Sequence, residues 1–474
     1  MMRERPQPFT VKELLQATAG RLLCGKMQQR FAGISIDSRS ITPQDLFVAI
    51  RGERHDAHDF VESVVLNGVK GLIIQQGSEG RFPLSQWSSS GLVCIKVEDT
   101  TQALGGIGAF HRNRSDISMV TITGSNGKTT TRAMTTAVVS QRFQTHATQG
   151  NLNNEIGLPL TLLGLTPRHQ VAVVEIGMNH PGEIARLADI CIPDVGVITN
   201  VAPAHLEGLG SIEAVKEAKG ELLDKIHPQG TAILNADDPK VMELAQKVTN
   251  RLILFGSKPN AAIRSYGLEE KEGLIQFELV LPGERISVTL PTPGRFMVDN
   301  ALAAAAVGYQ LGLSAQEIKQ GLETFTPVHG RLNLLTIEPS IHIIDDTYNA
   351  NPGSMKAAIQ TWRTLKKHHR GILILGDMLE LGQQSETLHY ELGTLAAQAG
   401  PSRLYVTGNF AAAVAEGALA AGMDSEMIFN GIYTDIIEDL MRQIRPQDWL
   451  LVKGSRGMAM ERIINGLIKW AEGR

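Results

Sequence analysis

The chain has 474 residues, too many for one ordinary core and enough for roughly three domains of about 150 residues each. Lys plus Arg number 45 against 49 Asp plus Glu, a formal net charge of −4, so no global basic field points to nucleic acid or an anionic membrane as a partner. Its three cysteines, Cys24, Cys94 and Cys191, are an odd number without CxxC spacing, which argues against a disulfide framework or a zinc site and leaves buried thiols.

The start, Met1-Met2-Arg3-Glu4-Arg5-Pro6, is charged and leads into no apolar signal core, and no later apolar run is long enough to span a bilayer. A soluble cytoplasmic protein with no membrane span is expected, with monomer as the default state. Residues 1–114 hold short elements such as Asp45-Leu46-Phe47-Val48-Ala49-Ile50 and Val69-Lys70-Gly71-Leu72-Ile73-Ile74. The polar run His111-Arg112-Asn113-Arg114-Ser115-Asp116 then reads as a linker. Beyond it, strands at 117–123, 171–177, 194–200 and 231–236 alternate with helices from Lys128, from Pro181 and over 211–226, the rhythm of an open doubly wound sheet. Residues 262–292 break that rhythm as a hairpin-like insertion around Leu281-Pro282-Gly283-Glu284, before a helix over 298–312. A second boundary is expected near Thr326-Pro327, followed by strands at 341–346, 371–376, 403–407 and 448–453 with helices between them. The expected fold class is therefore α/β in three domains, 1–114, 115–326 and 327–474. The centre is a doubly wound, phosphate-loop ATPase-like sheet, the C-terminal domain is smaller and Rossmann-like, and the N-terminal domain is a small α/β unit.

Met119-Val120-Thr121-Ile122-Thr123 runs straight into Gly124-Ser125-Asn126-Gly127-Lys128-Thr129-Thr130 and a helix. Glycines let backbone N–H groups turn towards phosphate oxygens, the helix start adds its positive end, Lys128 reaches the terminal phosphates and Thr129 can ligate Mg2+. Only two residues separate the glycines, where the common phosphate loop has four. The strand-to-helix context still favours nucleotide binding over a chance match.

Strand Val171-Ala172-Val173-Val174 ends in Glu175, and the next ends in Thr199-Asn200 with His205 five residues on. Both fall at the carboxyl edge of a parallel sheet, where ligands bind. Taken singly, Glu175 is as readily a capping or salt-bridging residue and His205 a surface or satisfied core histidine. In helix 211–226 the apolar stripe Ile212, Val215, Leu222, Ile226 is interrupted by Lys219. Its stem could pack while the ammonium snorkels out, or it could enter the crevice as a charge or as a metal-bridging carbamate.

Taken in order along the chain, these pieces resemble the Mur ligases of peptidoglycan synthesis. They are Thr123-Gly124-Ser125-Asn126-Gly127-Lys128-Thr129, Glu175, Asn200 with His205, Ala218-Lys219-Gly220-Glu221, Asn300-Ala301-Leu302-Ala303-Ala304, His329-Gly330-Arg331 and Asp345-Asp346-Thr347-Tyr348-Asn349-Ala350-Asn351-Pro352. Three further stretches resemble the branch that adds D-Ala-D-Ala: Gly150-Asn151-Leu152-Asn153-Asn154-Glu155-Ile156-Gly157, Asn349-Ala350-Asn351-Pro352-Gly353-Ser354-Met355 and Gly376-Asp377-Met378-Leu379-Glu380-Leu381-Gly382. The diaminopimelate-adding branch shares Asp37-Ser38-Arg39 but carries Asp-Asn-Pro-Arg where this chain has Val406-Thr407-Gly408-Asn409-Phe410. A folylpolyglutamate synthetase fits less well, because its phosphate loop lies near the N-terminus. A non-catalytic nucleotide-binding scaffold would have no use for Lys128, Thr129, Glu175 and His205 together.

The resemblance implies ATP and Mg2+ as cofactors and UDP-MurNAc-tripeptide and D-Ala-D-Ala as small-molecule substrates. It implies a UDP-sugar-binding first domain, an ATP-binding second and a third that receives the dipeptide and closes over the nucleotide. Lys128, Thr129 and Glu175 would serve the phosphates and a first metal ion, and His205 with Lys219, if carbamylated, a second. Asn300 would lie at the adenine, Arg331 at the phosphates, and Asp346, Tyr348 and Asn349 at the ribose and domain junction. Ser38, Arg39 and Asn151 would belong to the UDP-sugar site.

Overall fold

The computed structural model describes residues 6–52, 55–271 and 273–473. The charged start Met1 to Arg5, weighed above against a signal peptide, lies outside the described residues. Among those described, no helix is long and apolar enough to cross a membrane, and Cys24, Cys94 and Cys191 are buried free thiols.

Three main sheets follow one another along the chain. The first has the order Arg21–Cys24, Val93–Val97, Gly71–Gln75, Asp45–Val48, Gly33–Ser35, parallel except at the Arg21–Cys24 edge. Its central strands are continuous apolar runs, with Leu46, Phe47, Val48, Leu72, Ile73 and Ile74 all buried, as a parallel sheet covered on both faces requires. The helix Thr100–Asn113, capped by Asp99, completes the unit and extends into the polar stretch expected to be a linker. The charged groups of this stretch find partners on the next domain. His111 Nε2 lies 2.9 Å from the Leu165 carbonyl oxygen, and Arg112 Nε donates to the Cys191 carbonyl at 3.0 Å.

The central sheet has nine strands in the order Glu284–Leu290, Leu274–Leu281, Ile263–Lys271, Arg251–Gly256, Thr231–Asn235, Val195–Ile198, Ser118–Thr123, Val171–Glu175, Thr145–Ala147. From Ile263–Lys271 to Thr145–Ala147 every pair is parallel. The chain builds outward from Ser118–Thr123 in both directions, so the crevice beyond that strand's carboxyl end is the topological switch point. Residues 262–292 are not an insertion: Leu274–Leu281 and Glu284–Leu290 prolong the same sheet antiparallel. The alternation of buried Ile275, Phe277 and Leu279 with exposed neighbours is that of a sheet edge covered on one face only. The helix expected over 211–226 is also shorter. It spans Ile212–Gly220 and resumes as the 3-10 turn Leu223–Lys225, while Glu221 turns its carboxylate to accept from the Gly182 and Ala185 N–H groups at 2.7 and 3.0 Å.

The last sheet runs Asn333–Ile337, Ile341–Asp346, Trp449–Lys453, Gly371–Leu375, Arg403–Val406, Ile428–Asn430, with only the first pair antiparallel. Its own switch point is Trp449–Lys453. The loops after its three middle strands, 347–351, 376–382 and 454–457, meet the crevice of the central sheet. A single apolar cluster joins the two domains, passing from Val120 and Ile122 through Phe255, Met297 and Leu332 to Trp362 and Leu375.

Candidate active site

The phosphate loop leaves the strand Ser118–Thr123 at Gly124 and enters the helix Lys128–Val139 at Gly127. Both glycines have positive φ, 151° and 81°. A Cβ on Gly124 would stand 1.9 Å from Thr199 Oγ1, and one on Gly127 would stand 2.2 Å from Asn300 Oδ1. No side chain caps this helix, so its first N–H groups face the crevice at the positive end of the helix dipole. Thr199 Oγ1 donates to the Asn126 carbonyl at 2.6 Å, and the Asn200 amide accepts from Asn126 N at 2.9 Å and donates to Asn126 O at 3.0 Å. Ser125 Oγ donates to the Ala202 carbonyl at 2.9 Å.

The C-terminal domain reaches the same loop. Asn351 Nδ2 donates to Asn126 Oδ1 at 2.7 Å, while Asn351 Oδ1 accepts from Ser354 N at 2.9 Å as the N-cap of the helix Pro352–Lys366. Two helix starts, one from each domain, thus converge on the loop, and both bring partial positive charge.

Lys128 folds back over the loop, its Nζ donating to the Gly124 carbonyl at 2.7 Å. Burial pulls its pKa below the usual lysine range, and the Glu175 carboxylate opposes that shift. Thr129 Oγ1 donates to Glu175 Oε2 at 2.9 Å, Asn153 Nδ2 donates to Glu175 Oε1 at 2.9 Å, and Arg331 Nη2 donates to Thr129 Oγ1 at 2.9 Å. Arg132 Nε stands 3.7 Å from Glu175 Oε2. Thr129 and Glu175 therefore present adjacent hard oxygens beside the phosphate loop, a donor set that suits Mg2+.

His205, at φ 56°, lies on another wall with its Nδ1 2.7 Å from Glu380 Oε2 of the C-terminal domain. That pairing, with Lys128 adding to it, holds the Glu380 carboxyl below its usual range. Lys219 does not snorkel to solvent; it is 1% exposed. Burial, with the Lys128 charge adding to it, keeps its pKa well below that of an ordinary lysine. Among the described residues no cluster of three His, Cys, Asp or Glu forms a ready-made metal cage.

Two cavities meet at Lys128 and Arg331. The first runs from Ser125–Thr130 to an apolar end at Phe255, Phe296 and Met297, where Asp299 also lies. Asn300 lines it but commits its Oδ1 to the Thr131 hydroxyl at 3.1 Å, so it braces the loop against the base end. Asp346 and Asn349 line it too, with Asp346 Oδ2 only 2.6 Å from Lys453 Nζ. Tyr348 instead faces the second cavity, its ring centroid 4.2 Å from the Arg331 guanidinium carbon. That second cavity also takes in Glu175, His205 and Asn151. Ser38 and Arg39 line neither cavity; the Arg39 side chain is 87% exposed and paired with Asp37 at 2.8 Å.

Sequence reasoning passed over Arg132 and Asp299. Arg132 follows Lys128 by four residues, the spacing that places both on one helix face, and so was within reach. Nothing in the spacing marks Asp299, whose carboxyl is pushed up to about 7 by burial, with Asp237 adding to it.

Family models match all three units: "Mur ligase family, catalytic domain" over residues 30–112, "Mur ligase middle domain" over 122–308 and "Mur ligase, glutamate ligase domain" over 330–456. The chain belongs to the Mur ligase family. Within it, the chain is similar along nearly its whole length to UDP-N-acetylmuramoyl-tripeptide–D-alanyl-D-alanine ligases. That of Escherichia coli K12 is 37% identical over 92% of this chain and 93% of that protein, and that of Bacillus subtilis 168 is 33% identical over 97% and 98%. Among solved structures, MurF from Acinetobacter baumannii superposes with a TM-score of 0.89 at 34% identity, covering 98% of this chain and 100% of that one. MurF ligase from Thermotoga maritima, solved in complex with ADP, superposes with a TM-score of 0.82 at 27% identity, covering 93% and 98%.

Proposed function

We propose that the crevice between the central and C-terminal domains is where ATP activates a carboxylate and an amine then displaces phosphate. The chain is an ATP-dependent ligase that joins D-Ala-D-Ala to UDP-MurNAc-tripeptide, giving UDP-MurNAc-pentapeptide, ADP and phosphate in peptidoglycan precursor synthesis. The observation that carries the site is the uncapped helix start at Lys128, set beside Thr129–Glu175 and opening onto a second cavity.

A carboxylate is a poor electrophile with a poor leaving group, so the γ-phosphoryl is transferred to it first. The D-Ala-D-Ala ammonium gives up a proton to water, the free amine attacks the resulting acyl phosphate, and the tetrahedral intermediate loses a second proton as it expels phosphate. Gly124 to Thr130 hold the phosphates, while Lys128 and Arg331 offset the charge gathered between two anions. Asn300, Asp346 and Asn349 shape the nucleotide cavity, and Tyr348 positions Arg331. Thr129 and Glu175 would hold Mg2+, which neutralises phosphate charge when bound. Burial favours the neutral amine of Lys219, the form that adds CO2, and as a carbamate Lys219 with His205 would hold a second ion. Residues 1–114, with Ser38 and Arg39, together with Asn151 of the central domain, bind the UDP-sugar; 115–326 bind ATP; 327–474 bring the dipeptide. A cytoplasmic monomer fits this reading, since ATP and UDP-linked sugars are soluble there and one chain supplies every wall of the crevice.

The decisive assay offers UDP-MurNAc-tripeptide and UDP-MurNAc-dipeptide in turn with D-Ala-D-Ala, L-lysine and diaminopimelate, and scores ADP release. Only tripeptide with D-Ala-D-Ala should turn over; turnover of dipeptide with lysine or diaminopimelate would assign the chain to the neighbouring branch.

A further inference from the structure

The wall that the C-terminal domain gives to the second cavity carries two opposite charges and an exposed leucine that the mechanism above leaves without a task. Glu380, Leu379 and Arg456 all line this cavity. The Glu380 side chain is 51% exposed and that of Arg456 65%. Leu379 is 39% exposed, and its Cδ1 lies 2.9 Å from where a Cβ on Gly457 would stand, so it adjoins Glu380 in sequence and Gly457, the residue after Arg456, in space. Glu380 also has φ 64°, a left-handed conformation that a residue with a Cβ adopts only at a cost and that tends to persist where a site requires it.

We propose that this wall grips the incoming dipeptide as a zwitterion, with the ammonium end on Glu380, the methyl groups on Leu379 and the carboxylate on Arg456. This rests on the activity proposed above. A dipeptide presents one charge of each sign, separated by no more than about 7 Å of chain, and a complementary surface needs one of each with an apolar patch between. Polarity along the cavity follows from position. Glu380 is anchored to His205 of the central domain, on the side of the cavity shared with Lys128 and Glu175, so the ammonium end faces the reacting carboxylate. Among the described residues the Arg456 guanidinium is ion-paired with Glu461, at 3.1 Å through Nη1, with Tyr348 5.9 Å away. Its planar fork therefore keeps donors for a bidentate bond to a carboxylate.

The test compares D-Ala-D-Ala with its C-terminal amide at saturating ATP and UDP-MurNAc-tripeptide. Wild type should lose about tenfold or more in KM for the amide, the loss expected for a charge-assisted bond. Arg456→Met should raise KM for the free dipeptide to a similar degree, with kcat and the KM for ATP within about twofold, and should show no further penalty for the amide. Glu380→Gln should raise KM for both acceptors alike. Arg456→Lys, which keeps the charge without the fork, should recover part of the affinity. If Arg456→Met leaves KM unchanged, or keeps the full amide penalty, the grip is overturned while the ligase reading stands. If wild type fails to use D-Ala-D-Ala at all, both fall. ADP titrations of each variant confirm that the fold is intact.

Discussion

Asp299 shows how much a single side chain can carry without leaving a mark in the sequence. In the unfolded chain its carboxyl titrates near 3.8, and in the folded chain at about 7. Between those values the folded state holds a proton that the unfolded state has released. Its stabilising contribution is therefore complete below about pH 4 and is lost as pH rises through 7. Asp299→Asn should melt a few degrees above wild type at pH 8 and show a clearly smaller advantage at pH 5, in thermal scans without nucleotide. An equal difference at both pH values would mean that the carboxyl does not titrate as the fold implies. Lys128, Thr129 and Glu175 were legible because each sits at a fixed place in a strand-loop-helix or at a strand end. Asp299 was not, because its surroundings come from Asp237, sixty-two residues earlier, and from the wall of a cavity.

At the level of the element, the shortened phosphate loop is held by contacts that leave no room for side chains. Gly127→Ala puts a methyl group 2.2 Å from Asn300 Oδ1 and forces φ 81° on a residue with a Cβ. Strain of this kind costs about 1–3 kcal/mol, and displacing Asn300 also disturbs its bond from Thr131. The expected result is at least a tenfold weaker Kd for ADP in calorimetry, with a circular dichroism spectrum like that of wild type; an unchanged Kd would show that the loop can yield. Elements set by their own local pattern, a β-branched run and a glycine turn into a helix, were readable, as at Ser118–Thr123 and Lys128–Val139. Those decided by distant partners were not. Glu221 ends a helix by serving backbone groups at Gly182 and Ala185, 39 and 36 residues earlier.

Across the whole molecule, the central and C-terminal domains share one apolar cluster and meet through Asn351 on Asn126, Arg331 on Thr129 and Glu380 on His205. The contacts that face the crevice are polar and few, so they can open and reform while the nucleotide and UDP-sugar enter. An acyl phosphate must be kept from water until the amine arrives, which favours closure once substrates are bound. Small-angle scattering should therefore give a smaller radius of gyration with a non-hydrolysable ATP analogue plus UDP-MurNAc-tripeptide than without them. Superimposable curves would leave no place for a large closure.

The convergence of two helix starts on one loop has a consequence for the order in which the molecule lets go. A triphosphate lying there is a keystone, and the arch it completes is made of two stones that belong to different domains. While it stays, departure of the lengthened peptide must go around the arch; once phosphate has gone, less negative charge remains to hold the two positive ends together. The seam is then expected to loosen from its middle, so that spent nucleotide and product leave in one event, which rapid-mixing measurements of ADP and peptide release would check.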